Sequence, residues 1–251
     1  SPTMRDRLIL LPGWGLGVSP LEPLAAALRG LDEHLQVQIE PLPALDSSDL
    51  DEWLDELDAT LPDNAWLGGW SLGGMLATAL AARRGERCCG LLTLASNPCF
   101  VAHDGWPHAM PAETFDAFLA GCHADSQVTL KRFGLLCAKG AEDPRGLSRL
   151  LVSGAPNSAS SVLMPGLELL AQLDTRDALL AYRGPQLHLF AGMDGLVPAE
   201  AASVPAEAAS AASDAASAPV AQASAPVAPK PVPVPPPPAE ALIRIGKPIS
   251  V

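Results

Sequence analysis

The chain has 251 residues, 48% of them hydrophobic and 18% charged, with a formal net charge of −12. This length and composition support a sizeable buried core, and the acidic balance makes nucleic acid a poor partner. No apolar run approaches the roughly 18 residues of a membrane-spanning helix, and no basic stretch leads into a signal-type segment, so a cytoplasmic, membrane-free monomer is expected.

In chain order, Leu8-Ile9-Leu10-Leu11 is a short apolar run closed by Pro12-Gly13, as a buried parallel strand would be. Leu21, Leu24, Ala25 and Leu28 recur at helical spacing. Val37 and Ile39 alternate with polar neighbours, which predicts a strand near a sheet edge. Asp49 is placed to cap a helix that buries Leu50, Trp53, Leu54, Leu57 and Leu61. A strand over 65–69, a helix over 72–84 and a strand over 90–95 follow. This β-α-β-α-β order predicts an α/β fold with a doubly wound, mostly parallel sheet.

Between 100 and 183 the pattern becomes helical. Phe115, Phe118 and Leu119 mark one helix, Leu130, Phe133 and Leu136-Cys137 a second, and Leu147, Leu150 and Leu151 a third. Leu167, Leu169, Leu170 and Leu173 mark a fourth, expected to start after Pro165. Sheet pattern resumes over 186–191. The expected layout is a core of 4–99 and 184–198, a helical cap over 100–183, and a tail over 199–251. Residues 199–241 hold 17 Ala and 10 Pro with no Leu and no aromatic residue. Such a composition cannot bury enough apolar surface to offset ordering entropy, and disorder is expected there.

The chemistry centres on Gly69-Trp70-Ser71-Leu72-Gly73. In a G-x-S-x-G motif the serine sits on a sharp strand-to-helix turn, and the flanking glycines avoid a clash. The turn exposes the hydroxyl and aims a helix N-terminus at charge developing on the substrate. The apolar strand before it and Met75, Leu76, Ala79 and Leu80 after it supply that context. Leu72 and Trp14, in Pro12-Gly13-Trp14-Gly15, are placed to offer backbone N–H groups to an oxyanion. A packed tryptophan in a tight turn explains Trp14 equally well. Asp194 follows a strand in a glycine-flanked turn, where the acid of a Ser…Asp…His order belongs, although Asp-Gly is also an ordinary turn pair. A histidine should come next. The five histidines are His34, His103, His108, His123 and His188, and all precede Asp194. His188 reads as a packed strand residue. His103 and His108, where the chain leaves the sheet, are the candidates to replace a base. The five cysteines (Cys88, Cys89, Cys99, Cys122, Cys137) match neither zinc nor disulfide spacing, so reduced thiols and no metal or cofactor are expected.

Leu10–Gly15, Gly69–Gly74, Leu94–Phe100, Lys131–Phe133 and Gly192–Pro198 together resemble the pimeloyl-[acyl-carrier protein] methyl ester esterases of biotin synthesis, across residues 4–198. The resemblance implies an α/β-hydrolase fold with its helical cap after the fifth or sixth strand. It implies Ser71 as nucleophile, Asp194 as triad acid, and Trp14 and Leu72 around the oxyanion. It also implies an acyl channel lined by Phe133, Gly134, Leu135, Leu136 and Cys137. The family's last strand, histidine loop and helix would follow Pro198, where this chain has its Ala/Pro-rich tail.

Independently of any family, Lys131, Arg132, Lys139, Arg145 and Arg149 oppose only Glu142 and Asp143 within 131–149, a local excess of +3. A basic patch on an acidic protein points to an acidic partner such as an acyl-carrier protein. Solvated helix charges are the alternative. The competing functions are a general short-acyl carboxylesterase or thioesterase, and an inactive hydrolase that binds a carrier protein through its cap.

Overall fold

A computed structural model of the chain describes residues 7–107, 109–156 and 158–189. Five parallel strands form one sheet in the order β2-β1-β3-β4-β5: β1 (Arg7–Leu11), β2 (Gln36–Ile39), β3 (Ala65–Trp70), β4 (Cys88–Leu94) and β5 (Gln186–Leu189). The two ends of that order differ: β5 is buried throughout and β2 is partly exposed. The inner strands β1 and β3 are apolar almost throughout, whereas β2 alternates and lies at an edge, as its period of two predicts.

Three helices connect the first four strands: α1 (Glu22–Leu31), α2 (Leu50–Thr60) and α3 (Leu72–Arg84). The Asp49 carboxylate accepts a hydrogen bond from the Asp51 N–H and caps α2 as expected. Nearly all of α3 is buried, because it packs on β1, β3 and β4 and touches α2. At its far end the buried Arg84 guanidinium donates to the Asp58 carboxylate (2.7 Å) and to the carbonyls of Leu61 (2.8 Å) and Pro62 (2.7 Å). That burial leaves no donor facing an apolar wall, which is the condition for a charge to stay inside.

Five helices lie between β4 and β5: α4 (Ala112–Ala124), α5 (Ser126–Ala138), α6 (Pro144–Ser153), α7 (Ser160–Gln172) and the short α8 (Arg176–Ala181). Among the described residues this helical block follows the fourth strand, earlier than the fifth- or sixth-strand position expected, since only four apolar strand runs precede residue 100. Asp125 and Asp143 cap α5 and α6 with their side chains. Helix α7 corrects the expected start after Pro165: it begins at Ser160, and Pro165 lies inside it. Proline at the first helical turn is a preference rather than a rule, and one missing N–H is tolerated where Leu163, Leu167, Leu169 and Leu170 are buried around it.

Candidate active site

Ser71 occupies the junction of β3 and α3 with φ 54° and ψ −118°, a conformation that costs a non-glycine residue of the order of 1–3 kcal/mol. The surroundings hold it there. The Ser71 N–H donates to the Leu94 carbonyl (3.0 Å), and its own carbonyl accepts from the Met75 N–H (3.0 Å) and the Ser96 hydroxyl (2.9 Å). A Cβ on Gly69 would come within 2.5 Å of the Gly73 carbonyl carbon, and one on Gly73 would collide with the Leu11 and Pro12 carbonyl oxygens. Both glycines of the motif are therefore dictated by packing. Ser71 is 6% exposed, at the N-terminus of a thirteen-residue helix. The first N–H groups of a helix, including that of Leu72, lack intrahelical partners and carry the positive end of its dipole.

The loop after β1 lies beside this turn. A Cβ on Gly13 would approach the Trp70 ring to 2.9 Å, so glycine lets the loop close over β3. Trp14 is 2% exposed; its indole N–H donates to the Leu163 carbonyl of α7 (2.9 Å) and its ring meets Phe133 edge-on at 5.1 Å. Phe133 also stacks near Phe100 (6.2 Å) and meets Phe118 (6.3 Å). Trp14 thus ties the sheet to α5 and α7 at once.

Residues 133–137 do not share one face, because an α-helix turns about 100° per residue. Phe133 is buried on the aromatic cluster, and Gly134 faces α6, where an added Cβ would meet Val152 at 2.9 Å. Leu136 and Cys137 pack half-buried against the core. Leu135 is 48% exposed and lies in the outer groove between α5 and α6.

Trp14 also borders open volume. A largely apolar cavity of about 350 Å³ is lined by Pro12–Gly15, Leu42, Trp53, Pro156, Val162 and Gly166 among others. Sequence reasoning missed it because it joins two loops at the carboxyl ends of β1 and β2 to α7. Its one local signal is Gly166, where a Cβ would lie 3.1 Å from the Trp14 ring.

Asp194 and His108 lie outside the described residues. His34, His103 and His123 are exposed, and His188 is buried in β5 between Thr93 (2.6 Å) and Gln186 (2.8 Å). Burial pulls His188 down to about 4, so it is neutral and packed, as its strand position predicts. Among the described residues no side chain hydrogen-bonds the Ser71 hydroxyl.

The five cations expected on the cap are all exposed. Lys131, Arg145 and Arg149 line a groove of about 330 Å³ whose floor includes Leu135 and Val152. Arg132 lies in a separate hollow beside Thr114, Phe118 and Thr129.

A parallel sheet, a strained serine at a strand-to-helix turn and a helical block above it define an α/β hydrolase. A family model described as the alpha/beta hydrolase fold matches residues 43–215. The pimeloyl-[acyl-carrier protein] methyl ester esterase of Serratia marcescens is 34% identical over 206 residues, covering 78% of this chain and 79% of that one. That of Aeromonas salmonicida is 36% identical over 204 residues, covering 76% and 78%. A biotin biosynthesis bifunctional protein of Cellvibrio japonicus is 38% identical over 204 residues, 79% of this chain; the chain spans only 40% of that relative's length. Among solved structures, an esterase from Exiguobacterium antarcticum shares the fold with a TM-score of 0.67 at 24% identity, over 80% of this chain and 79% of that one. The chain belongs to the α/β-hydrolase family, alongside the pimeloyl-[acyl-carrier protein] methyl ester esterases.

Proposed function

We propose that the chain is a serine carboxylesterase scaffold for the methyl ester of a pimeloyl group carried on acyl-carrier protein. Ser71 Oγ attacks the ester carbonyl carbon, methoxide leaves and takes up a proton as methanol, and water then releases the carboxylate from the acyl-serine. The Leu72 and Trp14 N–H groups receive the oxyanion, and Asp194 is the acid partner of a base. The observation that carries this reading is the strained Ser71 conformation at the N-terminus of α3, locked by Gly69, Gly73 and Ser96. Similarity to the esterases of Serratia marcescens and Aeromonas salmonicida supplies the substrate. The groove formed by Lys131, Arg145, Arg149 and Leu135 supports an acidic carrier as the partner, with Arg132 and Lys139 adding to the field around it.

A fluorophosphonate probe tests the nucleophile. Labelling at Ser71, abolished in Ser71→Ala with an unchanged circular dichroism spectrum, is the expected result. A labelled Ser71→Ala protein would remove Ser71 from the mechanism.

A further inference from the structure

We propose that Cys99, His103 and Asp174 form a zinc-type divalent-metal site that clasps the two crossings between sheet and cap. Cys99 and His103 belong to the stretch that leaves β4 for α4, and Asp174 lies where α7 hands the chain to α8 and back to β5. These distant segments are already joined by backbone. Cys99 and Asp174 form an antiparallel bridge, and the Thr175 N–H donates to the Pro98 carbonyl at 2.9 Å. His103 is fixed by a tight hairpin, exchanging backbone hydrogen bonds with Trp106 at 3.2 and 2.8 Å.

The ligand atoms (a thiol sulfur, an imidazole nitrogen and a carboxylate oxygen) all lie within 4.8 Å of one another. Tetrahedral zinc with bonds of about 2.0–2.3 Å would hold such atoms about 3.6 Å apart, so the ligand atoms draw together by up to about 1 Å on binding. A mixed sulfur, nitrogen and oxygen set suits a borderline-soft cation. Cys99 is buried and forms the base, while His103 and Asp174 are exposed and leave the fourth position to water.

Asp174 already has the support that metal-ligating carboxylates usually have. Arg176 donates to it through Nε (2.9 Å) and Nη2 (2.6 Å), reaches the Gly105 carbonyl (3.1 Å), and lies over the Trp106 ring at 5.8 Å. A carboxylate has about four acceptor positions. The Arg176 backbone N–H (3.1 Å) and a second Nε contact (3.1 Å) complete that set. The Cys99 thiol also hydrogen-bonds Asp174, so a cation takes the place of the thiol proton and of one Arg176 hydrogen bond. Binding replaces the Cys99 S–H proton with a sulfur–metal bond and releases that proton to solvent. Sequence spacing could not reveal the site, because Asp174 reaches Cys99 only through the fold.

The test uses the full chain after chelator treatment, with Co²⁺ as the optical probe and Zn²⁺ as competitor. One equivalent of Co²⁺ should produce a thiolate-to-cobalt charge-transfer band that one equivalent of Zn²⁺ removes. Zn²⁺ at about a hundred times its Kd should raise Tm by ~5 °C or more. Cys99→Ser and His103→Ala should each weaken Zn²⁺ binding at least ~100-fold, more than loss of a supporting neighbour does. Because His103 is exposed, its alanine variant keeps the test valid if Cys99→Ser fails to fold. Cys137→Ser should leave binding unchanged. The proposal fails if equimolar Co²⁺ gives no band, or if the band persists in His103→Ala and Cys99→Ser, which would assign it to another thiol.

Discussion

The Gln186 side-chain amide donates to the carbonyls of Leu179 (2.9 Å) and Tyr182 (3.2 Å), which turns its oxygen toward His188 Nε2 at 2.8 Å. His188 Nε2 therefore carries the proton, and Nδ1 accepts from the Thr93 hydroxyl at 2.6 Å. A second proton would break the Thr93 bond and bury a charge. The imidazole titrates near 6.5 when unfolded but is held at about 4 in the fold. Between these values the unfolded chain binds more protons, so this contribution to stability is complete above pH ~6.5 and is lost as pH falls toward 4. Its full size is of the order of 3 kcal/mol. Urea unfolding at pH 7.5 and 4.5 should show that loss in the wild type and a smaller one in His188→Gln. The same loss in both proteins would place the pH dependence elsewhere. Local sequence made this residue legible, because a histidine inside a short apolar strand has only buried neighbours to meet. Ser71 was legible for a related reason: two glycines around one serine between an apolar strand and an apolar helix leave few alternatives.

Helices α5 and α6 show what a one-dimensional reading loses. Counting charges over 131–149 finds the excess of +3 but not its shape. Helical rotation sends Lys131 to one side of α5 and Arg132 to another, so three of the five cations share a groove with Leu135 and Val152. The same rotation puts Leu135 in the groove. An apolar floor between cations suits an amphipathic acidic helix, the shape a small acidic carrier could present. Arg145→Glu combined with Arg149→Glu should weaken binding of an acidic acyl-carrier protein ~10–100-fold at low salt. The difference should shrink as ionic strength rises past the point where the Debye length falls below about 8 Å. Titration calorimetry at two salt concentrations measures both effects. Unchanged affinity at low salt would reduce these arginines to ordinary surface charges.

At the scale of the whole molecule, the sheet and the helices between β4 and β5 meet at Trp14, and the chemistry proposed for Ser71 needs a group beyond both. An acyl transfer from serine requires a base that takes the hydroxyl proton and returns it to the leaving alcohol. In the proposed Ser…Asp…His order that group would follow Asp194, yet no histidine follows Asp194 in this sequence. The described residues bring none to Ser71 in its place, and His188, the one buried histidine among them, is committed to Thr93 and Gln186. The turn at Ser71 was readable because two glycines and a serine specify it, whereas a base is defined by geometry and can come from anywhere. Loss of the histidine in a serine triad costs on the order of a million-fold in turnover, while oxyanion stabilisation and binding retain roughly a thousand-fold advantage over water. The 251-residue chain should therefore hydrolyse a pimeloyl methyl ester barely above background at neutral pH. Replacing the residues after Pro198 with the strand, histidine loop and helix of a related esterase should raise turnover by several orders of magnitude. Steady-state methanol release by both proteins is the measurement. Turnover of about 1 per second or more by the unmodified chain would mean that another base serves Ser71, and loss of that rate in His108→Ala would identify it.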